Sequence, residues 1–376
     1  MPATPRTLTE PERLDWLRLI RSENVGPVTF NQLLRRYGSA SASSAALEAL
    51  PELARHGGRS RGLKVFPRAA AERELEAVRA AGAELVAIGE PAYPAPLAAI
   101  YDPPPLLAVK GHMHLLKQPA FAIVGTRNAS AAGVRFTERI AAELGARDLV
   151  IVSGLARGID AAAHRGALGS GTAAVFAGGI DVVYPTENEA LAADIAETGV
   201  ILAESATGIQ PQARHFPRRN RLISGLALGL LVVEAAPRSG SLITARMALE
   251  QGREVFAVPG SPLDPRSRGP NGLIRQGATL TENADDVMAA LEGVMRRPLE
   301  ERERVDFAKA EPAAAPEEEL AAARHSVTEK LAPTPVEVDE LIRQCQLTAP
   351  IVLTVLLELE LAGRLERHPG GRVSIL

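Results

Sequence analysis

The sequence predicts an α/β chain: an extended, doubly wound, mostly parallel Rossmann-like sheet, with a small helical domain before it and a winged helix after it. Three observations carry this. Between residues 120 and 290, apolar runs of strand length alternate with helical segments, as in a parallel sheet buried on both faces. Upstream, short amphipathic segments are joined by a Gly-Pro turn. Downstream, the last residues read helix, helix, hairpin.

Taken in order, Leu14, Leu17, Leu19 and Ile20 give the first helix an apolar face. Val25-Gly26-Pro27-Val28-Thr29 turns the chain into a second helix with Phe30, Leu33, Leu34 and Tyr37, closed by Gly38. This reads as a helix-hairpin-helix or sterile-alpha-motif-like domain over 1–68. Such units touch DNA backbone through the turn or serve as packing modules, and Arg35 and Arg36 are the cations nearby. The domain predicted over 69–295 opens with a helix at Ala70–Ala81 and a strand at Glu84–Ile88. A Pro-rich lead-in follows (Tyr93-Pro94-Ala95-Pro96, then Asp102-Pro103-Pro104-Pro105), and proline makes it an extended connector. The strands are then Phe121–Val124, Leu149–Val152, Ala173–Ala177, Val200–Ala203, Leu230–Glu234 and Val255–Val258. Residues 296–330 are expected to be an acidic linker, broken by Pro298, Pro312 and Pro316. The winged helix is assigned to 331–376, with helices at Val336–Cys345 and Thr348–Gly363 and a hairpin pairing Arg364–Arg367 with Val373–Ile375 around Gly370-Gly371.

Bulk properties narrow the function classes. A net charge of −3 over 376 residues restricts nucleic-acid binding to a local patch. Cys345 is the only cysteine, which excludes an intramolecular disulfide and a CxxC zinc site and fits a reducing compartment. No run approaches a membrane span, and Met1–Pro5 has no apolar signal core; a soluble, cytoplasmic protein is expected.

The local patch is Arg214-His215-Phe216-Pro217-Arg218-Arg219-Asn220-Arg221, four arginines around one ring, with no Asp or Glu between Ser205 and Gly225. Arginine forks grip phosphates and an aromatic face stacks on an unpaired base. A solvated loop with Phe216 tucked into the core has the same composition. Strand ends elsewhere carry Gly125-Thr126-Arg127, Ser153-Gly154 with Arg157, Gly178-Gly179, Ser239-Gly240-Ser241 and Pro259-Gly260. Glycines there admit a ligand to the backbone, and the following helix offers N–H groups to an anion. Together with Arg127, Arg157, Arg214, Arg218, Arg219 and Arg221 they describe a track for a polyanion.

Other chemistries are thinly supported. Arg127 and Ser130 stand where a dinucleotide fingerprint needs glycine, and no P-loop exists. Asp160 and His164 read as a structural polar pair, and His112/His114 lack the companions of a metal site. Glu234 is expected to hold a rim arginine in place. Cys345 reads as core packing. No metal, cofactor or catalytic residue is expected.

The order of motifs resembles the DNA-processing protein A family, DprA, also called Smf. The resemblance spans nearly the whole chain: Ala122–Arg127, Ser153–Asp160, His215–Leu226, Ser239–Ala245, Pro259-Gly260 and Asn271–Ala278. It implies single-stranded DNA as ligand, loading of the RecA recombinase in transformation, and a homodimer through the Rossmann-like domain. Mapped onto this chain, it implies that Arg127 and Arg214 grip phosphates and that Phe216 contacts a base. Thr186 and Glu187 depart from it, because the family often has a basic residue just after Tyr-Pro. The competing reading is a nucleotide phosphoribohydrolase of the lysine-decarboxylase-like group, but Met247 stands where its PGGxGTxxE motif needs glutamate. A transcription factor is disfavoured because the second winged-helix helix has Glu358 and Glu360 and no Lys or Arg; the domain is expected to contact protein.

Overall fold

The computed structural model describes residues 6–37, 42–60, 62–295, 317–368 and 371–376. Gly38, Pro298, Pro312, Pro316, Gly370 and Met1–Pro5 therefore lie outside the described residues. The chain divides into two compact units. Among the described residues, one gathers those of 8–73 and 317–376, and the other those of 74–295.

In the first unit, α1 (Glu10–Arg21), α2 (Pro27–Tyr37) and α3 (Ala42–His56) pack through Leu17, Leu19, Phe30, Leu33, Leu34 and Leu50, all fully buried. Thr9 starts α1 with a capping box to Glu12. The boundary between units falls within α4 (Arg68–Ala80).

The second unit contains β1 (Glu84–Ala87), α5 (Ala95–Ala98), β2 (Leu106–Gly111), β3 (Ala120–Val124), α6 (Ala131–Gly145), β4 (Val150–Ser153), α7 (Ile159–Ala167), β5 (Thr172–Phe176), α8 (Glu189–Thr198), β6 (Val200–Ala203), α9 (His215–Leu226), β7 (Gly229–Val232), α10 (Gly240–Glu250), β8 (Glu254–Ala257), α11 (Arg268–Arg275), β9 (Thr279–Leu280) and α12 (Ala284–Met295). Its nine strands form one sheet in the order β1-β2-β6-β5-β4-β3-β7-β8-β9. β1 and β2 pair antiparallel with each other, and β2 pairs antiparallel with β6; the rest is parallel. The chain winds outward from β3 in one direction through β4, β5 and β6, then returns to place β7 on the other side of β3. This is the doubly wound mixed sheet the sequence predicts.

Strand alternation divides the core. Ala120, Ala122 and Val124 face one layer with Leu230 and Val232; Phe121 and Ile123 face the other with Leu231 and Phe256. Phe121 and Phe256 meet edge to face at 5.3 Å. Leu106–Gly111, just past the Pro-rich lead-in, is a further strand that the sequence reading does not include.

The first unit is completed by α13 (Glu317–Lys330), β10 (Val336–Glu337), α14 (Val338–Cys345), α15 (Ala349–Leu361), β11 (Leu365–His368) and β12 (Arg372–Ile375). β10, β12 and β11 form a three-stranded sheet, giving a winged helix. Residues 317–330, expected as linker, are its first helix: Leu320, Ala323 and Val327 enter the core with Val352, Val355 and Leu359. An acidic first turn suits the helix N-terminus, so Glu317, Glu318 and Glu319 favour helix rather than coil here. Among the described residues no single helix is long and apolar enough to cross a membrane.

Candidate nucleic-acid interface

The carboxyl ends of β3, β4 and β5 and the start of α9 enclose a cavity of about 270 Å³. Arg127, Arg157, Tyr184, Glu187, Phe216 and Arg219 line it, with backbone from Gly154 and Gly178. The half-buried Phe216 is among the lining residues. Arg127 stands over that ring with its guanidinium carbon 5.1 Å from the centroid, and Arg219 approaches to 5.9 Å. Tyr184 adds a second ring, tilted against Phe216 at 5.8 Å and itself 47% exposed. One wall is therefore aromatic and the rim cationic.

The arginine run is helical, contrary to the loop expected. His215 opens α9 with its Nδ1 accepting from the Gln212 N–H, and Pro217 sits in the first turn, where its missing N–H costs nothing. The helix sorts the arginines. Arg214 and Arg218 are exposed. Arg219 is turned inward and buried, its Nη1 donating to the carbonyls of Gly154 and Val175, both at 2.6 Å. Its Nε donates to Asn220 Oδ1. A side chain at position 154 would put Cβ 2.4 Å from Arg219 Nη1, so glycine is what lets this guanidinium lie across the end of β4. Arg221 lies about 140° around the helix from Phe216. It is buried against Glu204 (2.5 Å) and Asp102 (3.3 Å), so it is a structural ion pair and leaves the proposed track.

Ser153 also leaves the track: its hydroxyl is fully buried and donates to the Ile123 carbonyl at 2.6 Å. Gly125 and Thr126 hold the turn after β3, with the Thr126 N–H donating to the Glu234 carbonyl. Ser239 caps α10 and its hydroxyl meets that of the buried Ser241 at 2.7 Å; with Gly240 these residues lie at the end of β7 and do not line the cavity. Arg157, exposed, pairs with Glu187 at 3.6 Å. The acidic departure after Tyr184-Pro185 therefore sits inside the candidate site. Glu234 holds Ser130 rather than an arginine, accepting from its N–H (2.9 Å) and its hydroxyl (2.5 Å).

Beneath the cavity lies an ionisable core that the sequence reading did not assemble. Burial pushes the Asp160 carboxyl up, while Arg219 and the backbone amides of Ala156, Gly154 and Gly125 favour its charge. Asp160 so ties the turns after β3 and β4 to Arg219. Burial lowers Arg219 to about 10, opposed by Asp160 and reinforced by Arg127. His164 does not complete a pair with Asp160: its Nδ1 meets Thr172 Oγ1 at 2.7 Å. Thr172 donates to the Ile151 carbonyl, so it accepts from Nδ1–H and leaves Nε2 buried without a partner. Burial, then Arg219 and Arg165, lower His164 to about 3. Tyr184 was missed as a cavity residue; its signal was an aromatic in the glycine-rich passage after β5. Among the described residues no three His, Cys, Asp or Glu side chains are placed to hold a metal.

Comparison with known proteins decides the family. Residues 84–292 match the model for DNA recombination-mediator protein A, 10–77 a DprA-like N-terminal HHH domain, and 311–371 a DprA winged helix domain. Protein Smf of Escherichia coli (strain K12) is 40% identical over 314 residues, 82% of either chain. The chain belongs to the DprA/Smf family. The DNA processing protein DprA of Streptococcus pneumoniae (strain ATCC BAA-255 / R6) is 49% identical over 202 residues, 53% of this chain and 71% of that one. The crystal structure of a Streptococcus pneumoniae DprA superposes with a TM-score of 0.63 at 38% identity, covering 76% of this chain and 98% of that one. A Helicobacter pylori DprA, described for its single-stranded DNA binding mode, gives a TM-score of 0.52 at 30% identity over 57% of this chain and 98% of that one.

Proposed function

We propose that this member of the DprA/Smf family binds single-stranded DNA with little sequence preference, without chemistry of its own, and passes it to the RecA recombinase in the cytoplasm, acting as a homodimer. The observation that carries the DNA reading is the Phe216 ring, open to the cavity and flanked by Arg127 and Tyr184. Exposed Arg127, Arg157, Arg214 and Arg218 neutralise phosphates, Phe216 stacks on a base, and buried Arg219 fixes the turns from which Arg127 and Arg157 project. A duplex hides its base faces, so a single ring in a cavity selects an unpaired strand.

The test is equilibrium binding to a mixed-sequence single strand and to the duplex of the same length, with AMP hydrolysis and RecA ATPase on the single strand followed in parallel. Preference for the single strand, stimulated RecA turnover and no AMP hydrolysis are expected. Equal duplex affinity contradicts the cavity reading, and AMP hydrolysis contradicts the non-catalytic one.

A further inference from the structure

The last helix of a winged helix, α15 here, ordinarily offers its outward face to a DNA groove. Here that face is covered by the N-terminal helices of the same unit. Val352, Val355, Leu356 and Leu359 of α15 fill the winged-helix core, and Leu357 and Leu361 are not part of that cluster. Yet Leu357 is 2% exposed and Leu361 fully buried.

The seam is built with matched groups. Asn24 Nδ2, in the turn between α1 and α2, donates to the Leu361 carbonyl at the end of α15 (3.0 Å). Arg364, just past α15, donates through Nη1 to the Gly57 carbonyl just past α3 (3.2 Å). Each module thus satisfies a helix-end carbonyl of the other, a group that water or a cap must otherwise meet. Arg36 reaches Thr354, and Arg367 reaches Gln32. Glu358, 1% exposed, accepts from Nε and Nη2 of Arg324 within the winged helix and faces His56 of α3 at 3.6 Å. Gly57 sets the spacing: a Cβ there would stand 2.0 Å from the Glu358 carbonyl oxygen and 2.9 Å from Ala362 Cβ.

We propose that the winged helix is an intramolecular clamp and not a nucleic-acid reader, the outward face of α15 being the docking surface for the C-terminal end of α3. Residues 74–295, which carry the candidate DNA cavity, are then inserted between two halves that close on each other. The clamp stands apart from the single-strand reading and is tested separately.

The experiment is hydrogen exchange on the full chain, wild type and Gly57→Ala. The added methyl suits a residue just past a helix and disrupts only the seam. Peptides covering the end of α3 and α15 should both exchange about tenfold faster or more, as overpacking at a tight contact implies, while β3–β8 stay protected. Acceleration in one module alone, or in neither, overturns the clamp. The wild type supplies a second test that needs no variant: adding a mixed-sequence duplex should leave α15 exchange unchanged, and protection of α15 by duplex would make it a DNA reader and overturn the proposal.

Discussion

The guanidinium carbon of Arg127 stands 5.1 Å from the centroid of the Phe216 ring, so the candidate phosphate-binding cation and the candidate base-stacking surface are in contact. The two are expected to be energetically coupled. Arg127→Ala should weaken single-strand binding and reduce the salt slope by about 0.7 for the phosphate it releases. Phe216→Ala should cost about 1–3 kcal/mol and leave the slope unchanged. The double variant should fall short of the sum by about 0.5 kcal/mol or more, as for residues in direct contact. Binding isotherms of the four proteins check this, and strict additivity would show that the ring and the cation act apart.

Much of the fold is legible in the sequence because β3–β8 are buried on both faces and read as unbroken apolar runs. β2 was lost behind Pro103-Pro104-Pro105, although Leu106–Val109 is fully buried. At the site, composition identified the arginines but not their directions. Basic residues at a helix N-terminus oppose the dipole, which favours a loop reading; burial of Leu222, Ile223 and Leu226 overrides it. Once α9 forms, Arg219 and Arg221 point inward, and only tertiary structure supplies Asp160, Glu204 and Asp102 as their partners. Tethering of the winged helix by α3 was equally hidden, since it depends on a contact between residues about 300 positions apart.

Arg221→Ala is expected to be a stability variant. It strands Glu204 and Asp102, whose side chains are 25% and 37% exposed, so the loss should lie near the low end for a broken buried pair, about 3 kcal/mol. Denaturant melts measure it. The salt slope of DNA binding should stay at the wild-type value, and a fall by one phosphate would return Arg221 to the track.

Glu187→Lys is expected to tighten single-strand binding. The wild-type carboxylate occupies Arg157 at 3.6 Å on the cavity edge, and reversing it frees one cation and adds another. The slope should steepen by about 0.7 for each phosphate gained. Unchanged affinity in a salt titration would place the strand away from this edge.

His164 is expected to make the Rossmann-like unit acid-sensitive. Its folded-state pKa is lowered from 6.5 to about 3, so unfolding takes up a proton between those values. Its stabilising effect is full above about pH 6.5 and is lost as pH falls towards 3, by about 1.4 kcal/mol per unit. Melts from pH 7 to pH 5 should show a smaller decline for His164→Gln than for wild type; equal declines would mean that His164 is protonated in the fold.

Single-strand affinity titrated with salt, for wild type and for Arg127→Ala/Phe216→Ala together, tests the cavity most directly. A log–log line with a slope of about −0.7 per neutralised phosphate is expected for wild type, with a shallower and weaker line for the double variant. A wild-type affinity independent of salt, or a double variant indistinguishable from wild type, would contradict binding at the ends of β3, β4 and β5.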